Sequence, residues 1–257
     1  ISDQPNRQIL SINYLTSKTK TYILYNKGTI MQDILKDLVG HTHSLGFLPL
    51  VKITGDKDTV IESMAEDRSV IVTAKTHKAV DEFDGVFGMP NLDKLALHLK
   101  NPEYKEGANI EVVRSQRNGV EIPTSLHFEN AAKDFRNDYR FMNSEIINEK
   151  LKSVKFKGAS WDIEFEPAVA SIQRLRLQAA AHTEETTFQV KTEGGNLVFF
   201  FGDASTHAGS FVFHANVDGK LKQTWSWPVN QVMAILALDG DKTMRIADAG
   251  AMQITVD

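Results

Sequence analysis

The 257-residue chain contains no cysteine. That removes disulfides, thiolate metal ligands and cysteine nucleophiles together, and it suits a reducing cytoplasm. No uninterrupted apolar run approaches the ~18 residues a membrane-spanning helix needs, and no segment reads as a signal peptide. The expectation is a cytoplasmic protein. Walker-type glycine loops, H-E-x-x-H pairs and G-x-S-x-G elbows are all missing. His41 with His43, and His207 with His214, fall short of the three or four converging ligands that zinc requires. Asp203, Ser205 and His207 crowd into one glycine-rich turn and lack the setting of a hydrolase triad. No metal, no cofactor and no catalytic residue is therefore expected, and the chain does not read as an enzyme.

A more local absence is informative. In EPAVASIQRLRLQAAAH, residues 166–182, no acid follows Glu166, although the whole chain has 33 Asp and Glu against 29 Lys and Arg. A net charge of −4 argues against a protein that coats nucleic acid with a uniformly basic surface. It leaves room for a local basic surface inside an acidic shell, because a phosphate responds to the local field. With 42% hydrophobic residues the chain can bury a core for one large domain or two ordinary ones.

The sequence repeats itself. Three segments share one order of a strand, a proline, a helix, a strand, a glycine-containing turn and another strand. The first runs GVFGMP, NLDKLALHLK, ANIEVV and VEIPTSLHF; the second DIEFEP, AVASIQRLRLQAAAH, TTFQVK and LVFFFGD; the third TWSWP, VNQVMAILAL, KTMRIA and AMQITVD. Pro90, Pro167 and Pro228 stand at or just before a first helical turn, where a missing N–H costs nothing. A fainter copy comes first: TYILYNKG, TIMQDILKDLVG, LPLVKITGD and SVIVTAK. Helix starts near 29, 91, 167 and 228 are then spaced 62, 76 and 61 residues apart. Two near-equal intervals around a longer one predict two similar domains of two copies each. Residues 1–145 form the first, 146–160 a linker, and 161–257 the second. The last copy shows two strand-like segments after its helix, which predicts a further strand missing from the second domain. Strands alternate apolar and polar residues (Val70 and Val72, Phe188 and Val190, Met244 and Ile246), as in antiparallel sheets with one covered face. The fold class expected is α+β.

On a helical wheel, Leu92, Leu95, Ala96 and Leu99 form the core stripe of the helix after Pro90, with Lys94, His98 and Lys100 off it. For 167–182 the core arc holds Ala168, Val169, Ile172, Leu175 and Ala179. The opposite arc holds Gln173, Arg174, Leu177 and Gln178, with Arg176 at its flank. The first helix is mixed, with Gln32, Asp33, Lys36 and Asp37 outward. Any one such face is explained as well by plain solvation. Together, loosely spaced cations among small residues suit phosphate contact without base readout.

These features resemble the DNA sliding clamps of the two-domain bacteriophage and eukaryotic/archaeal type. The closing hairpin MRIADAGAMQITVD at 244–257 looks like the "IAD-x-G" hairpin of proliferating cell nuclear antigens. GVFGMPNLDKLALHL looks like a strand and helix of a phage clamp's first domain. The resemblance implies two clamp-type domains, each of two βαβββ units, with helices on one face and antiparallel sheets on the other. It implies a homotrimeric ring that encircles duplex DNA without sequence preference and tethers a replicative polymerase, with polymerase and clamp loader as partners. Carried over by position, the DNA-facing residues are Lys36, Lys94, His98, Lys100, Arg174, Arg176 and Gln178. The partner-peptide region includes Ile146, Ile147, Leu151 and Val154. A monomeric clamp-like accessory protein that binds double-stranded DNA, and a phage assembly protein without a DNA ligand, are the alternatives.

Overall fold

The computed structural model describes residues 9–15, 27–76, 78–152, 158–205 and 207–257, with side chains from residue 30 onward. The described residues divide into two compact units. One holds those of 15–66 and 72–155, the other those of 1–14, 67–71 and 156–257. Residues 9–14 of strand β1 (Ile9–Leu15) belong to the second.

In the first unit α1 (Lys27–His41) leads to β2 (Leu50–Gly55), β3 (Thr59–Met64) and β4 (Val70–Lys75), of which residues 72–75 belong to this unit. The next copy is β5 (Gly85–Pro90), α2 (Leu92–Lys100), β6 (Asn109–Arg117), β7 (Val120–Glu129) and β8 (Arg136–Arg140), followed by α3 (Ser144–Lys150). Strands run β5-β2-β3-β4, and β6-β7-β8 make a separate sheet. Alternation in β2 and β3 buries Val51, Ile53 and Ile61 on one face. The polar groups buried with them are satisfied: Ser63 Oγ–H donates to Leu50 O at 2.5 Å, and Thr59 Oγ1 accepts the Val80 N–H at 2.8 Å.

The expected stripe of α2, Leu92, Leu95, Ala96 and Leu99, is buried throughout. In α1 the buried stripe is Met31, Leu35, Leu38 and Val39, joined by Gln32. Gln32 does not face outward as its polarity suggested. Its Nε2 donates to Tyr104 O at 2.8 Å, so one hydrogen bond makes an amide tolerable in the interior. Residues 21–26, which contain most of the first expected strand, lie outside the described residues.

The second unit repeats the plan with β9 (Ile163–Phe165), α4 (Val169–Ala181), β10 (Thr187–Glu193), β11 (Asn196–Phe201) and β12 (Gly209–His214). It continues with β13 (Trp225–Pro228), α5 (Val229–Leu236), β14 (Lys242–Ala247) and β15 (Ala251–Val256). Its strands run β12-β11-β10-β13 and β9-β14-β15-β1. The two units share a rule. The strand after the first helix pairs antiparallel with the strand before the second: β2 with β5 here, β10 with β13 there. Each pairing sets two helices side by side, α1 on α2 and α4 on α5. Aromatics fill the second core: Phe199 stacks on Phe213 at 4.1 Å between centroids, and Phe188 lies 4.7 Å from Phe199 and opposite Trp227.

The hairpin singled out by its sequence has a local cause. Asp248 Oδ1 accepts the N–H groups of Lys222 and Gln223 at 2.7 and 2.8 Å, while its carbonyl accepts Trp225 Nε1–H at 2.9 Å. Its own N–H donates to Asp162 Oδ2 at 2.7 Å. Gly250 has φ +87, and a Cβ there would lie 3.0 Å from the Trp225 ring. Aspartate and glycine therefore fasten the approach to β13 onto the β14–β15 turn. Asp248→Ala should lower stability by about 1–2 kcal/mol in urea unfolding. Asp248→Asn, which keeps an acceptor, should cost less than half of that.

Candidate nucleic-acid interface

Within the second unit α4 is anchored by a single fully buried side chain, Leu175, with Ile172 and Ala179 half-buried beside it. Gln173, Arg174, Arg176 and Leu177 are exposed, Leu177 at 71%. Val169, expected in the core, is 72% exposed, because the first turn of the helix stands clear of the sheet. Between Pro167 and Thr183 no carboxylate interrupts this face.

Within the first unit α2 exposes Asp93, Lys94, Leu97 and Lys100, and α1 exposes Asp33 and Lys36. Asp93 lies in the first turn of α2, where the helix dipole favours an acid. Leu97, at 67% exposure, sits among these polar groups much as Leu177 does on α4.

Several cations are paired with carboxylates. On the strands, Lys52 pairs with Glu62 at 3.0 Å, Lys75 with Asp58 at 2.8 Å, Arg136 with Glu129 at 2.8 Å and Arg245 with Glu164 at 2.9 Å. The Arg245 hydrogen bond holds the Glu164 carboxyl below its ordinary range. Among the described residues, no carboxylate lies within ion-pair distance of the helical Lys36, Lys94, Lys100, Arg174 or Arg176. Their charge is screened by solvent alone and remains available to an external anion.

Two of the seven expected DNA-facing residues point elsewhere. His98 is half-buried, its ring 5.2 Å from Phe128 and 6.5 Å from Tyr104. Burial first, and the Lys94 ammonium second, hold its pKa below the ordinary 6.5, so it adds no positive charge at neutral pH. Gln178 is half-buried and turns toward β12; a Cβ on Gly209 would come within 2.5 Å of its Oε1. The wheel placed both by angle alone and could not register the neighbours that cover them.

The expected peptide region also changes. Asn143 caps α3 by accepting the Ile146 N–H at 2.9 Å. Gly88 and Met142 exchange backbone hydrogen bonds of 2.9 and 2.8 Å along β5. Ile147 fills the space over Gly88, where a Cβ would lie 2.9 Å from its Cγ1 and Cδ1. Fully buried, Ile147 cannot offer a docking surface, whereas Ile146 is 46% exposed and Leu151 is half-buried. Val154 lies outside the described residues. Only the fold brings Gly88 against Ile147; no spacing in the sequence announces it.

Among the described residues no group of three His, Asp or Glu side chains converges on a metal-sized space, and no helix is long and apolar enough to cross a membrane. Ser205 N–H and Oγ–H both donate to Asp203 Oδ1, at 2.7 and 2.6 Å, forming a turn.

No protein-family model matches the chain, and no curated protein matches it in sequence. Solved structures do match in fold. The proliferating cell nuclear antigen of Thermococcus kodakaraensis superposes with a TM-score of 0.55 at 9% identity, over 87% of this chain and 88% of that one. A putative DNA polymerase III beta subunit from Eubacterium rectale gives 0.53 at 12% identity, over 87% of this chain and 62% of that one. The chain has the sliding-clamp fold.

The depressed His98 pKa has a consequence for stability. The unfolded chain binds a proton near pH 6.5 that the folded chain resists, so this contribution is complete above 6.5 and fades as pH falls through the folded value. His98→Gln should flatten the decline in urea midpoint below pH 6.5 that the parent protein shows.

Proposed function

We propose that this protein is a DNA polymerase processivity factor: a non-enzymatic clamp whose protomers, three to a ring, encircle duplex DNA and tether a polymerase. The clamp fold supports the reading, and the observation that carries it is the set of exposed cations on α2 and α4 that have no carboxylate within ion-pair distance. An acid on the exposed face of α4 would repel a phosphate backbone; none is present. Exposed, widely spaced Lys94, Lys100, Arg174 and Arg176 give sequence-independent attraction without the dense Arg, Asn and Gln of a base-reading helix. Five unpaired cations hold DNA only loosely, which suits a ring that slides, because topology rather than affinity then sets its residence time.

Closure would use the sheet edges. Strands β8 and β12 each end a sheet within their own unit, and pairing between protomers would satisfy their free backbone groups. On this reading residues 146–160 join the two domains, and the exposed Ile146 marks where a polymerase or loader peptide would dock.

The test is native mass together with DNA retention. Sedimentation equilibrium should give three times the protomer mass. Nicked circular DNA carrying the assembled ring should retain it after a high-salt wash that strips it from linear DNA of equal length. Arg174→Glu with Arg176→Glu should leave the native mass unchanged and lower the slope of log retention against log salt by about 2. Lys52→Gln, which removes a paired strand cation, should leave retention unaltered. A persistent monomer that binds linear and circular DNA alike would reject the ring and favour the monomeric accessory protein.

A further inference from the structure

In three of the four copies the sheet position beyond the second post-helix strand is filled by the next strand in sequence: β4 beside β3, β8 beside β7, and β12 beside β11. In the fourth copy, β14 and β15 follow α5, and the strand beside β15 is β1, from the opposite end of the sequence. It runs parallel to β15, with Ile9 opposite Ala251 through Tyr14 opposite Val256. A tight hairpin cannot make a parallel pair, so this position is supplied by a distant segment rather than by local chain reversal.

The register carries the argument further. Residues 10–14 of β1 alternate in type, and their phase matches that of β15. Leu10, Ile12 and Tyr14 stand opposite Met252, Ile254 and Val256, all buried; Ser11 and Asn13 stand opposite Gln253 and Thr255. A slip of one residue in either direction would set Ile12 opposite Gln253 or Thr255, and Ser11 and Asn13 opposite apolar residues. Six consecutive pairs thus match in type.

We propose that residues 9–15 are a strand clasp: they occupy, beside β15, the sheet position that the next strand fills in the other three copies, and the β15 edge is a strand-accepting site that this segment occupies. Parallel pairing is slightly weaker per residue than antiparallel pairing, and β1 reaches the sheet without a hairpin. Release of β1 therefore uncovers one edge of β15 and leaves the β14–β15 ladder intact. This inference is independent of whether the protein encircles DNA.

The absence of cysteine makes the test direct. Ser11→Cys with Gln253→Cys, and separately Asn13→Cys with Thr255→Cys, should cross-link within one chain under mild oxidation. Ser11→Cys with Thr255→Cys, out of register by two residues, should cross-link at least tenfold more slowly, on the order of a strand pair held in one register. Deleting residues 1–15 should speed amide exchange along β15 by about tenfold or more, with β10 and β11 unchanged as an internal check of folding. Adding the peptide of residues 9–15 should slow that exchange again. Equal cross-linking in and out of register, or β15 exchange indifferent to the deletion, would overturn the clasp.

Discussion

The antiparallel ladder joining one repeat to the next is the constraint from which the rest follows. A helix with one apolar stripe must cover a sheet, and a strand with one apolar face must be covered. Pairing β2 with β5, and β10 with β13, makes one sheet of strands from two copies and sets their helices against each other. Side by side, the helices turn their remaining faces outward together. Helix identity and helix exposure are thus settled by strand pairing, which is why α1 and α2 in one unit, and α4 and α5 in the other, form equivalent pairs despite little likeness in sequence.

That arrangement also sorts the charges. Neighbouring strands bring side chains within reach of each other, so some strand cations meet strand acids, as Lys52 meets Glu62 and Arg245 meets Glu164. Exposed pairs of this kind add little stability, but they cancel the field that each charge would otherwise project. The exposed faces of α2 and α4 have no such partners. The acidic balance of the whole chain is therefore consistent with positive local surfaces.

Close approaches fix the junctions. Gly88 lets Ile147 rest directly on β5, which ties α3 to the first unit, and the Asp248 carboxylate gathers the turn before β13 onto the last hairpin of the second. Both contacts depend on a small or short side chain where a larger one would hold the elements apart.

Local pattern was enough to reveal the repeats, the prolines at three helix starts, the buried stripe of α2 and the acid-free run of 167–182, because helix and strand periodicities are written in neighbouring residues. The exposure of Lys94, Lys100, Arg174 and Arg176 could likewise be read from a wheel. The inward turn of His98 and Gln178, the buried Gln32 and the burial of Ile147 could not, since each depends on a group far away in sequence: Phe128, Gly209, Tyr104 and Gly88. The parallel union of β1 with β15 is the extreme case. The alternation of residues 10–14 marks a strand, but its partner is β15, more than 230 residues on, and only the tertiary structure sets the two in register.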